Sequence, residues 1–281
     1  MGNFERRLWN RWLCKLTIKG RNKKIINVNL GKDLKELHII PISDVHIGDK
    51  LSNLKLLKQT LETIKNSPNT FTILNGDLCN TALKNSKSDV YSDELTPMEQ
   101  INRLIDLLEP IKDKILVIGT GNHEDRIAKD TSIDVIRLVA RQLGIEDRYA
   151  DNWWYLFLRF GEKEQGRKAP MCYQITGYHG SGGGRKTGGK ANRLEEMSQT
   201  VIADLYIMGH THKPLSTKGA IYIPDYGNNT LNKKQMYYLM TNSFLDYGGY
   251  GEKLGFAPPD NTPTEAILDG TKRKIKVILW N

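Results

Sequence analysis

Cysteine is scarce in this chain of 281 residues: Cys14, Cys79 and Cys172 are odd in number, widely spaced and form no CxxC pair. That set predicts free thiols in a reducing cytoplasm rather than a disulfide framework, and none is well placed as a nucleophile. Long apolar runs are missing too, so no membrane partner is expected. Leu8 to Leu16 is interrupted by Asn10, Arg11 and Lys15, too polar for the core of a signal peptide. Arg6 stands where a myristoylation signal after Met1-Gly2 needs Ser or Thr. A cytoplasmic protein is the expectation. Internal repeats and a clear linker are also absent. The reading is therefore a basic N-terminal extension over 1–36 and one domain over 37–281.

Acidic residues are in deficit, 32 against 41 Lys and Arg, for a net charge of +9. The excess is uneven, since residues 1–36 hold ten Lys/Arg against three acids. Such an arm suits a polyanion such as nucleic acid, or equally a solvated edge kept soluble by lysine. The remaining composition, 39% hydrophobic and 26% charged, is ordinary for a soluble domain.

Three short apolar runs organise the first half. Leu37–Ser43 stops at Asp44, Thr70–Leu74 stops before Asn75-Gly76-Asp77, and a run over residues 114–118 stops before Gly119-Thr120-Gly121. Between them, 53–65 and Pro97–Leu108 carry Leu and Ile at helical spacing, with Pro97 suited to a first turn. Strand and helix alternate, which predicts a parallel sheet with ligands gathered outside the carboxyl ends of its strands. Further helices are expected over Ser132–Leu143 and 193–203. Strands are expected over 153–160, 171–178, 205–208, 220–223, 235–241 and 274–279, with 246–263 a loop.

Five of the six histidines lie in an ordered series at these strand ends. The series runs Asp44-Val45-His46, Gly76-Asp77, Gly121-Asn122-His123-Glu124, His179 and Gly209-His210-Thr211-His212. An x-spaced pair in extended chain presents both side chains on one side, so each pair can converge on an ion. Asp44, His46, Asp77, Asn122, His179, His210 and His212 make seven oxygen and nitrogen donors, too many for one cation. Two cations sharing a carboxylate would leave room for water and substrate, an arrangement that hydrolyses phosphate esters.

In order and residue type, the series D-x-H, G-D, G-N-H-E, H, G-H-x-H resembles the calcineurin-like metallophosphoesterase superfamily over roughly residues 38–215. The resemblance implies an α/β fold, a four-layer α/β/β/α sandwich of two mixed sheets with flanking helices. It implies that Asp44, His46 and His212 bind one metal, that Asn122, His179 and His210 bind the second, and that Asp77 bridges them. His123 would be the catalytic residue, contacting the scissile phosphate and protonating the leaving oxygen. Mixed His, carboxylate and Asn ligation suits two divalent ions from among Mn, Fe and Zn.

The substrate is less constrained. Protein phosphatases of this superfamily continue G-D as GDxxDRG, whereas here Gly76-Asp77-Leu78-Cys79-Asn80-Thr81 has no arginine. Arg126 offers a replacement charge, or else a helix-start salt bridge. The segment after His179 is glycine-rich, with Arg185, Lys186, Lys190 and Arg193 and no acid. Gly184 to Lys190 matches GxxxxGK, but Ala191 removes the hydroxyl a P-loop places on Mg²⁺. It reads as a basic lid gripping a phosphate backbone through Arg185, Lys186 and Lys190, or as a plain surface loop. With Trp153, Trp154, Tyr247 and Tyr250, these features favour a phosphodiesterase acting on nucleic-acid-like substrates, DNA or RNA. A phosphomonoesterase, a small cyclic-nucleotide phosphodiesterase and a catalytically silent binding subunit are the alternatives. No protein partner can be read.

Overall fold

Residue Leu37 and its neighbours show why the chain stacks in layers. Leu37 and Ile39 point to one side of their strand, Ile40 and Ile42 to the other, and all four are buried. A strand apolar on both faces needs cover on both.

The computed structural model describes residues 25–84, 91, 93–163, 170–182 and 184–280; residues 1–24 of the basic extension lie outside these. In chain order the strands are β1 (Ile25–Asn29), β2 (Glu36–Ile42), β3 (Thr70–Asn75), β4 (Ile115–Gly119), β5 (Tyr149–Ala150), β6 (Trp154–Lys163), β7 (Pro170–Tyr178), β8 (Leu205–Met208), β9 (Leu215–Asp225), β10 (Thr230–Met240), β11 (Thr264–Asp269) and β12 (Ile275–Leu279). The α-helices are α1 (Leu54–Asn66), α2 (Pro97–Leu108), α3 (Asn122–Thr131), α4 (Val135–Gln142), α5 (Thr187–Glu196) and a short α6 (Gly249–Lys253).

Two six-stranded mixed sheets result, in the orders β1-β6-β7-β8-β10-β9 and β12-β11-β2-β3-β4-β5. Strands β2, β3, β4 and β5 run parallel in one sheet, and β7, β8 and β10 in the other. Leu37, Ile39, Phe71, Ile73 and Val117 meet Trp154, Leu156, Leu158, Ile175 and Ile207 between the sheets. On one outer face α1, α2 and α4 cover Ile40, Ile42, Leu74 and Ile118. On the other, Leu194 and Met197 cover Tyr206, Met208, Tyr238 and Met240. This is the expected four-layer α/β/β/α sandwich. The helix starts have local causes: Asn53 accepts from the Leu56 N–H, and Thr96 forms a capping box with Glu99 ahead of Pro97.

Several elements differ from expectation. The helix expected over 193–203 begins at Thr187, inside the glycine-rich segment, and gives way after Glu196 to a 3-10 turn. Its buried anchors are Leu194 and Met197, and the chain has left helical form by the β-branched pair Val201-Ile202. The strand expected over 220–223 is the middle of β9. Strands β1 and β11 and helix α3 were not anticipated, and α6 falls in the expected loop over 246–263. Strand β1 pairs in parallel with β6, so residues 25–29 of the basic segment are part of the sheet. Only Tyr237–Met240 of β10 pair with β8, whereas all of β10 pairs with β9. The far halves of β9 and β10 therefore form a two-stranded ribbon beyond the sheet. Among the described residues no helix is long and apolar enough to cross a membrane.

Candidate metal centre

Five of the parallel strands are followed by polar residues at one end of the sandwich. Asp44 follows β2, Asp77 follows β3, Asn122 follows β4, His179 follows β7 and His210 follows β8. The x-spaced pairs are not presented by extended chain, as the sequence reading had it. Asp44 (φ 53°), His46 (φ 52°), Asp77 (φ 50°), His210 (φ 66°) and His212 (φ 51°) all adopt left-handed backbone. Such a conformation costs a side-chain-bearing residue about 1–3 kcal/mol, and such residues cluster where function demands an unusual direction. The motif glycines let these turns touch. A Cβ at Gly121 would lie 2.2 Å from the Asp77 amide nitrogen, and one at Gly209 would lie 2.5 Å from Ser43 Oγ.

The donors converge. Atoms of Asp44, His46 and His212 lie within 4.8 Å of one another, as do those of Asp77, His179 and His210, and those of His46, Asp77 and His123. His179 Nε2 is 3.0 Å from Asp77 Oδ2, and His212 Nε2 is 3.1 Å from Asp44 Oδ1. Yet Asp44 Oδ1, both ring nitrogens of His46, Asn122 Oδ1 and His179 Nε2 are buried without a hydrogen bond among the described residues. Buried polar atoms normally find partners, so a cluster of orphaned oxygen and nitrogen atoms with lone pairs asks for a cation. The residues present fit divalent metal.

Ring orientations agree. The Asn75 carbonyl accepts from His179 Nδ1 at 2.9 Å and the Asn80 carbonyl from His123 Nδ1 at 2.9 Å, which turns each Nε2 toward the centre. Asp44 Oδ2 accepts from Ser43 Oγ and from the His210 N–H (3.0 Å), and Asp77 Oδ1 accepts from the His123 N–H (2.8 Å). Burial alone would raise both carboxyls, but the surrounding histidines outweigh it and hold Asp44 and Asp77 below the usual range. His46 is lowered by burial and by His123, leaving a neutral imidazole suited to ligation. Burial lowers His179, but Asp77 and Asp44 overcome it and push the ring up to about 10. The two carboxylates thus demand positive charge at this point, a demand a metal cation also meets.

Residues to which the sequence reading gave no part in holding the motifs brace the centre. The buried Glu124 carboxylate accepts from the N–H groups of Asp77 (3.1 Å), Leu78 (2.6 Å), Cys79 (2.8 Å) and Gly121 (2.9 Å), fastening two motif loops together. Trp154, counted from the sequence among the aromatics favouring a nucleic-acid substrate, is instead buried between the sheets. Its Nε1 donates to Asn75 Oδ1 at 2.8 Å, and Asn75 Nδ2 donates to the Tyr178 carbonyl at 2.9 Å, which sets the carbonyl that orients His179. Ser43 and Thr241 hydroxyls lie 2.6 Å apart, and the Phe244 N–H donates to the Asp44 carbonyl at 3.0 Å. The polar run Thr241-Asn242-Ser243 after the apolar end of β10 was the available signal. Asn80 is held by Asp93 at 2.6 Å, which in turn accepts from Gln100 at 3.0 Å.

The four cations assigned to substrate divide into two pairs. Arg126 is half-buried one turn along α3, close enough for its charge to act on His123 and to feel Asp77. Lys190 donates to the Thr211 carbonyl at 2.8 Å, beside the His210 and His212 turn. Arg185 instead donates to the Leu254 carbonyl at 2.9 Å and lies 5.4 Å over the Phe256 ring. Lys186 is exposed ahead of α5. Arg126 and Lys190 thus interact with groups of the centre, whereas the contacts of Arg185 are to residues 254 and 256.

A family model described as calcineurin-like phosphoesterase matches residues 37–214. No match was found among curated protein sequences. Among solved structures, the chain is similar to a predicted phosphoesterase of Streptococcus pneumoniae, at 16% identity and a TM-score of 0.36 over 88% of this chain and 91% of that one. It is similar to GAP50, the anchor in the inner membrane complex of Plasmodium, at 15% identity and 0.44 over 87% and 84%. It is also similar to zinc-complexed Vps29 of Entamoeba histolytica, at 12% identity and 0.36 over 87% and 100%. These likenesses are too distant to bear on chemistry.

Proposed function

This chain belongs to the calcineurin-like phosphoesterase family, and on that premise we propose that it hydrolyses phosphodiesters at a centre of two divalent cations, with polynucleotides as the preferred substrate class. The observation that carries the metal centre is the cluster of buried oxygen and nitrogen atoms without hydrogen bonds, drawn from both sheets. The charges of Arg126 and Lys190 beside it support a polyanionic diester as substrate. Asp44, His46 and His212 would hold one cation, Asn122, His179 and His210 the other, with Asp77 shared; Mn, Fe and Zn are the ions whose chemistry fits. When bound, such ions act as Lewis acids toward phosphoryl oxygen and bring the pKa of water toward ~7.

The protein's own groups do the rest. Asp77 aligns the Asn122-His123 turn through the His123 N–H. His123, whose Nδ1–H is held by the Asn80 carbonyl, presents Nε2 to the centre. As an imidazolium, with a second proton on Nε2, it contacts the phosphate, hands that proton to the leaving oxygen and is left as the neutral ring. Arg126 and Lys190 add positive charge at the rim, offsetting charge that grows on the phosphoryl oxygens and steering a polyanion inward.

Turnover of bis-p-nitrophenyl phosphate and p-nitrophenyl phosphate by Mn²⁺-loaded protein tests the proposal. A higher kcat/KM on the diester is expected. Preference for the monoester would make the protein a phosphomonoesterase, and bound metal without turnover of either would make it a binding subunit. His123→Ala is expected to keep its metal content while kcat falls about 10²–10⁴-fold, the range for a lost proton donor. Loss of metal from that variant would make His123 a ligand.

A further inference from the structure

The end of the molecule away from the metals carries a second basic surface. Asp204 and His210 bracket β8, so a feature at Asp204 lies roughly 15–20 Å along the strand from the ligands. A cleft of about 520 Å³ opens there between the β9–β10 ribbon and the β11–β12 turn, lined by Lys233, Lys234, Tyr237, Arg273 and Lys274.

The carboxylates here are committed inward. Asp204 takes Lys234 Nζ at 2.6 Å, Arg273 at 3.1 Å and the Gln174 N–H at 2.7 Å. Asp269 accepts from the N–H groups of Thr271 and Lys272. The side chains of Lys218, Lys233 and Lys274 are exposed and have no hydrogen-bond or ion-pair partner among the described residues.

The ribbon adds a second kind of contact. In its register Lys233 faces Tyr222, Leu231 faces Pro224 and Tyr237 faces Lys218, all on one side by strand alternation. Tyr222 and Leu231 are each 64% exposed. A two-stranded ribbon is marginal by itself, so an aromatic and an apolar side chain left open on one, among lysines, suggest a contact surface. Lysines with an interleaved aromatic match a strand of nucleic acid: the cations neutralise phosphates and the ring takes a base.

We propose that the inner face of the β9–β10 ribbon and the adjoining Lys233–Lys274 cleft dock a polynucleotide remote from the metal centre. The surface would let the protein hold a polymer that small esters never reach. This inference rests on the polynucleotide reading given above and adds a surface to it.

The test measures binding of a 30-nucleotide single strand and a 30-base-pair duplex by fluorescence anisotropy, in chelator to prevent cleavage. Wild type is compared with a Lys218→Glu, Lys233→Glu, Lys274→Glu triple variant, with Tyr222→Ala, and with Arg185→Ala, Lys186→Ala. The triple variant is expected to lose at least tenfold in affinity for one or both probes. Its plot of log affinity against log salt should flatten by about 2–3, near 0.9 for each phosphate no longer neutralised. Its turnover of bis-p-nitrophenyl phosphate with Mn²⁺ should equal wild type. Tyr222→Ala should weaken the single strand more than the duplex. Wild-type affinity in the triple variant, with loss in the Arg185, Lys186 variant, would overturn the ribbon surface and leave the polynucleotide reading standing. Wild type that cleaves the small diester and binds neither probe would remove both and keep the phosphoesterase. Unchanged binding with an altered sedimentation mass would make the face a contact between copies of this chain and overturn the proposal.

Discussion

Asp77→Asn is expected to lower diester turnover at least a thousandfold while leaving the fold in place. The carboxylate is buried, with Oδ1 taken by the His123 N–H and Oδ2 facing His179 Nε2 at 3.0 Å. Asparagine has the same shape and can keep the first contact, so the melting temperature should change little. It removes the negative charge both cations would share and turns an NH2 donor toward them in one rotamer. A thousandfold loss is about 4 kcal/mol of transition-state stabilisation, a size reached when a central charge is removed from a dry site. The measurements are kcat/KM on bis-p-nitrophenyl phosphate, metal content by elemental analysis, and thermal denaturation. A wild-type rate would show that Asp77 bridges nothing.

Glu124→Ala should give the largest loss of stability among substitutions at the centre. The side chain holds four backbone N–H groups that have no route to solvent in this packing, and a buried donor left without a partner costs about 1–3 kcal/mol. With partial relaxation and water entry, a net loss of about 3–5 kcal/mol is expected, a fall of roughly 10 °C in Tm for a chain this long. Metal-free protein is the sample to melt, because bound cations would mask part of the change. Burial and the charge of Asp77 push this carboxyl up to about 7. Glu124→Gln, which keeps one acceptor oxygen, should fall between wild type and alanine. An alanine variant that melts like wild type would mean that water replaces the carboxylate at no cost.

The parts of the fold that could be read from sequence are those where burial is two-sided and punctuation is sharp. Strands β2, β3 and β4 are apolar runs cut off by Asp, Gly or Asn, and α1 and α2 carry capping residues at their starts. The unanticipated elements are half-buried or nearly polar. Strand β1 buries only Ile26 fully. Strand β11 buries Ala266 and Leu268 among polar neighbours directly after a Gly/Pro-rich stretch, so its alternation was hidden. Helix α3 has a single buried residue, Glu124, and its packing side shows no apolar stripe.

At the centre, the donor set was visible because chemistry restricts which residues can serve, and their order along the chain survives folding. The means of presentation was not visible. Asp and His are enriched in left-handed backbone, but positive φ is so uncommon outside glycine that the residue type alone does not announce it, and the turns are held by distant partners. Glu124 reaches back 45 to 47 residues, and Asn75 reaches forward 104 to orient His179. Contacts at that range leave no local pattern. Arg185 shows the same limit: its charge and neighbours suggested a grip on substrate, and its contacts to Leu254 and Phe256, on a segment read only as loop, could not be seen from sequence.

Of the eight described non-glycine residues with positive φ, five are ligands assigned to this centre. Glycine at any of them would relax the backbone, and an apolar side chain at the orphaned positions would remove a solvation penalty. The sandwich would therefore be more robust without its donors than with them. Selection for heat resistance alone, without an activity screen, should drift first at Asp44, His46, His210 and His212, trading the reaction for a wider stability margin. The reverse also holds: a natural relative that keeps His46, His210 and His212 has been kept under demand for what they do, whereas Asp44 and Asp77 also hold backbone N–H groups of neighbouring motif loops.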